Sequence, residues 1–135
     1  MKNIARLIFI LLLFIFLAWL FTHFPDHAEY NEKNWFSYFV YTDKEIRGAP
    51  KISDSFIYHY DAPDGGSREM SSVLFYGVSD ASLLEPYLKS LGFSLEKRTE
   101  NGTEETWQSQ KNRNAVFTIN LDTEKNRVRL TKTIL

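Results

Sequence analysis

Every residue from Leu7 to Phe21 is apolar, and the run continues through Thr22 and His23 to Phe24 without a charge. As a helix, Leu7–Phe24 rises about 27 Å, close to the hydrocarbon thickness of a bilayer. Lys2 and Arg6 precede it, whereas Asp26, Glu29 and Glu32 follow it, and the positive flank of a spanning helix stays in the cytoplasm. The pattern therefore predicts an N-terminal signal-anchor transmembrane helix over residues 1–24 in a bacterial inner membrane. The N-terminus is then cytoplasmic and the rest periplasmic. Trp19 suits the outer interface, and Pro25 ends the helix. A cleaved signal peptide shares the charged start and apolar run, but needs small residues flanking a cut. Ala28 paired with Asp26 serves that poorly.

Residues 25–33 are polar and read as a linker, leaving 34–135 as one exported α+β domain. From Trp35 to Tyr41 a strand would be apolar on both faces, and a helical turn fits as well. Thr42–Ser53 reads as a loop around Gly48 and Pro50. Ser55–Tyr60 and Ser71–Val78 are rich in strand formers, and Ala62–Gly66 between them predicts a hairpin. Leu84, Tyr87, Leu88 and Leu91 recur at helical spacing. Asp80 or Ser82 is expected to cap that helix, with Ser82 and Glu85 forming a capping box, and Gly92 to end it.

Phe93–Thr99 and Thr103–Ser109 flank Asn101-Gly102, a pair suited to the positive φ angles of a tight hairpin. Ala115, Phe117, Ile119 and Leu121 alternate with polar Thr118 and Asn120, and Val128, Leu130 and Ile134 with Arg127, Arg129 and Thr131, so each segment predicts a strand with one buried face. The expected fold is one transmembrane helix followed by a small, mostly antiparallel sheet covered by a single helix.

With 44% hydrophobic residues the 135-residue chain can fill one core. Cysteine is absent, which removes disulfides, thiolate metal sites and a lipid-modified cysteine. All acidic residues lie beyond Phe24 and slightly outnumber the basic ones there, so no basic footprint suggests nucleic acid.

Candidate chemistry is sparse. Ser55, His59 and Asp61 share one strand face but stand about 7 Å or more apart along it, too far for a catalytic triad. Glu104 and Glu105 point to opposite faces and cannot pair as acid and base. Asp122 and Glu124 lack the further oxygen ligands of a calcium loop, and Gly65-Gly66 has no following lysine or helix to cradle phosphate. No catalytic, cofactor or metal residue is expected.

The aromatic cluster is the unusual feature, because Tyr and Trp concentrate both at membrane interfaces and at protein-binding hot spots. Trp35, Phe36 and Tyr38, with Asp61 and Asp64 near the Pro63–Gly66 hairpin and the loop from Asp43 to Ser53, are the expected contact residues. The expected function is a tethered binding protein without catalysis, best an immunity or inhibitor protein for a secreted toxin, otherwise an envelope scaffold or a small-ligand sensor. Its expected partners are the membrane, through Leu7 to Phe24, and another protein.

Overall fold

The computed structural model describes residues 2–22 and 25–135, with side chains in the first helix described from Ile4 to Leu20. Among the described residues, four helices and seven strands follow in the order α1 (Lys2–Thr22), β1 (His27–Tyr30), α2 (Trp35–Tyr41), α3 (Lys44–Arg47), β2 (Phe56–Asp61), β3 (Met70–Tyr76), α4 (Leu84–Ser90), β4 (Ser94–Arg98), β5 (Glu104–Gln108), β6 (Ala115–Asp122) and β7 (Arg127–Ile134).

The strands form one antiparallel sheet in the order β1-β2-β3-β7-β6-β5-β4. The expected hairpin is present as β2–β3, in register Tyr58↔Val73. β7 pairs on one side with β3, Val73↔Leu130, and on the other with β6, Ile119↔Leu130. It thereby joins the first three strands to the meander β4–β6.

The alternation read from the sequence explains the core. Phe117, Ile119, Val128 and Leu130 are fully buried with Tyr58, Val73, Phe75 and Trp107 in one cluster. Leu84 and Leu88 of α4 and Ile46 of α3 close the same cluster. The other face of the sheet carries mainly polar side chains.

The expected fold needs two corrections. First, the sheet is accompanied by several short helices and not by one covering helix. Trp35–Tyr41 is the helix α2, started by the Asn34 side chain, which accepts a hydrogen bond from the Ser37 amide. Seven residues, nearly all large and apolar, fit a period of two and of 3.6 alike. The sheet edge decides: Tyr38 and Tyr41, three apart on one helix face, pack against it, Tyr41 stacked on Tyr60 and Tyr38 tilted against Tyr58, at centroid distances of 5.2 Å each.

Second, among the described residues no helix is long and apolar enough to cross a membrane. His23 and Phe24, the expected outer end of the span, lie outside the described residues. Single-pass anchoring in an inner membrane, with a cytoplasmic N-terminus and a periplasmic domain, is therefore not supported. Ile4 through Trp19 are exposed, so those side chains add nothing to the core beneath the sheet.

Within the stretch read as a linker, β1 pairs with β2 as Tyr30↔Tyr58 and Ala28↔Tyr60. Tyr30 is buried and stacks on Tyr58, while His27 and Glu29 alternate to the outside. The expected capping box also fails to form. α4 starts at Leu84 without a side-chain cap, and the Asp80 carboxylate instead accepts from the amide and hydroxyl of Ser82 in the preceding loop. Those bonds hold the Asp80 carboxyl below the usual range, the backbone one first. Gly92 does end the helix, at φ +83, with the Phe93 amide reaching back to the Leu88 carbonyl. In the β4–β5 loop only Gly102, and not Asn101, takes a positive φ.

Candidate interaction surface and polar clusters

The helical spacing of α2 sorts its aromatics into two sets. Tyr38 and Tyr41 face the sheet, which leaves Trp35, Phe36, Phe39 and Val40 pointing out, with Trp35 69% and Phe39 62% exposed. Trp35 meets Phe36 edge to face at 6.0 Å, and the Arg47 guanidinium of α3 lies 5.2 Å from the Phe39 ring centre. Large apolar groups in this density on one exposed helix face are what a folded chain normally covers.

Of the residues singled out in the sequence, the structure therefore brings Trp35 and Phe36 together on this face. It turns Tyr38 inward against Tyr58. Asp61 and Asp64 do not join them. Asp61 ends β2 on the face opposite Tyr60, 2.5 Å from His27 Nδ1. Asp64 closes a tight turn in which its carbonyl accepts from the Ser67 amide and hydroxyl. In the Asp43–Ser53 segment α3 forms and buries Ile46. Phe39 and Val40 were missed in the sequence, although the spacing 35, 36, 39, 40 is a helical signature once the strand alternative is dropped.

His59 faces away from the helices. Its Nδ1 lies 3.5 Å from Glu29 Oε2, and its buried Nε2 has no hydrogen-bond partner. Burial lowers its pKa below the ordinary value, with Arg129 acting in the same direction and Glu29 and Asp61 opposing. The Ser55 amide donates to the Ser53 hydroxyl at 3.1 Å, one residue before β2 begins.

A histidine whose folded-state pKa is lowered takes up protons more readily when unfolded. Its contribution is therefore complete above about pH 6.5 and declines as pH falls through that value. The urea midpoint is expected to drop on acidification from pH 7.5 towards 5, and His59→Gln to flatten that part of the profile. An identical slope in the variant would remove His59 as the cause.

Glu104 and Glu105 part as the strand geometry requires. Glu104 accepts from Asn120 Nδ2 at 3.0 Å on the outer face. Glu105 is buried on the inner face, held by Arg98 Nε at 2.8 Å and by Trp107 Nε1 at 3.0 Å. Also inward, Lys132 reaches Asp43 at 2.8 Å and Glu45 at 2.5 Å, tying β7 to the start of α3. Lys132 thus serves two carboxylates, and Arg98 bridges Glu105 and, at 3.4 Å, Glu85 of α4. Among the described residues no group of three or more His, Asp or Glu is placed to hold a metal ion.

Comparison with known proteins adds no relative: no family model, no curated protein and no solved structure matches the chain.

Proposed function

We propose that this chain is a binding protein without catalysis that meets a protein partner through the outer face of α2. The reading rests on Trp35, Phe36, Phe39 and Val40, four large apolar side chains exposed side by side on a helix whose other face is fastened to the sheet. A rigid aromatic patch binds at low entropic cost, since its side chains lose few rotamers. Within this class, a compact acidic domain suits an inhibitor or immunity protein for a secreted toxin. α1 supplies a second apolar surface, from Leu7 to Leu20, which we assign to contact with lipid; this is association with lipid and not passage across it.

The test uses the full chain, purified in mild detergent, as bait for a partner identified by mass spectrometry and then produced separately. Trp35→Ala is expected to weaken the binary complex by about thirtyfold or more, as loss of a central aromatic anchor does. The melting temperature should hardly move, because the indole is mostly exposed. A complex whose affinity survives the double change Trp35→Ala and Phe39→Ala would refute this surface.

A further inference from the structure

The sheet face turned away from the helices carries a depression of about 330 Å³ beside the β6–β7 turn. Strand register lays Leu74, Arg129, Asn120 and Glu104 in one row across β3, β7, β6 and β5, with Arg127 and Asp122 in the next. Both carboxylates of this lining already have a donor. Asn120 serves Glu104, and Arg127 Nη2 serves Asp122 at 2.8 Å.

The surplus is on the donor side. Arg127 Nε is buried and bonded to nothing. Among the described residues, the exposed Arg129 guanidinium makes no hydrogen bond or ion pair. A guanidinium is a planar array of N–H donors whose fork matches the two oxygens of a carboxylate. Glu104 and Asp122 stand in the same wall and repel any further negative charge, while Leu74 offers an apolar contact at the end of the row.

We propose that this depression binds a small monocarboxylate, with Arg129 as the bidentate anchor and Leu74 against the carbon body. The site lies on the opposite face of the sheet from α2 and is independent of the protein-binding reading.

The test is a titration of the full chain with sodium acetate, sodium propionate and inorganic phosphate, followed by amide chemical shifts. Both carboxylates are expected to give saturating shifts confined to Thr103, Asn120, Leu121 and their neighbours, at dissociation constants on the order of 1 mM. Propionate should bind more tightly than acetate because of Leu74. Arg129→Gln should weaken binding at least about tenfold, the effect of losing a charge-assisted pair. Arg129→Lys, which keeps the charge and loses the fork, should fall between. Lys97→Gln, on the far edge strand, should change nothing. Shifts that never saturate, equal affinity in Arg129→Gln and Arg129→Lys, or phosphate binding as tightly as the carboxylates would each overturn the proposal.

Discussion

Trp107→Ala is expected to lower the unfolding free energy by about 3–5 kcal/mol, through two losses at one place. The indole is fully buried between the sheet and α4, with the Lys89 ammonium 5.9 Å from its ring centre, so its removal opens a cavity that the rigid strands cannot close. It also takes away the N–H that satisfies Glu105 Oε2, leaving a buried carboxylate with Arg98 as its remaining partner. Trp107→Phe separates the two effects. It refills most of the volume but still strands that oxygen, at a cost of about 1–3 kcal/mol. Urea unfolding followed by far-ultraviolet circular dichroism measures both without relying on the fluorophore that is removed. Equal stability of Trp107→Phe and the parent would show that the Trp107–Glu105 bond contributes nothing.

Lys132→Ala is expected to cost about 3 kcal/mol, because it leaves Asp43 and Glu45 facing each other without the cation between them. The value sits low in the usual range for a broken buried pair, since both carboxylates keep some contact with water. The two hydrogen-bonded acids outweigh burial and hold the Lys132 pKa above its ordinary value. A raised lysine contributes its full stability below about pH 10.4 and loses it as pH climbs through the folded-state pKa. Tyr30, Tyr58 and Tyr87, pushed up chiefly by burial, weaken the fold in the same alkaline window, as neutral phenols that must ionise once exposed. The Lys132 part is thus the difference between the parent and Lys132→Met. That difference should be constant near neutrality and shrink above about pH 10.4. A gap that stays constant through the alkaline range would assign the loss to the tyrosines alone.

These two clusters show where the chain was legible and where it was not. The strands of the C-terminal half follow from alternation alone: Phe117 and Ile119, Val128 and Leu130 point inward as their spacing requires. Lys132 occupies the next inward position after Leu130, and so could be placed on the buried face. Its partner Asp43 lies 89 residues away, which no local pattern discloses. β1 escaped because four residues that include His27 and Glu29 look like a linker until β2 is there to receive Ala28 and Tyr30.

α2 escaped for the opposite reason. A segment apolar at nearly every position satisfies both periods, and only contact with Tyr58 and Tyr60 selects the helix. Trp35 and Phe36 were accessible from aromatic density, whereas the exposure of Phe39 and Val40 beside them depended on that helix, Asp61 reaches His27 on β1, and Asp64 closes its own turn. The apolar start of the chain suggested a membrane crossing, but among the described residues no helix is long and apolar enough for one.

The place of β7 between β3 and β6 bears on how the chain is made. Of all the strands it leaves the ribosome last, yet each half of the sheet needs it as a neighbour. Until Arg127–Ile134 docks, a folding chain holds two partial sheets whose inner borders, β3 and β6, display unpaired backbone groups that invite pairing with other chains. Any change that delays the docking of Arg127–Ile134 is therefore expected to lengthen that exposure, even where the finished fold is as stable as before.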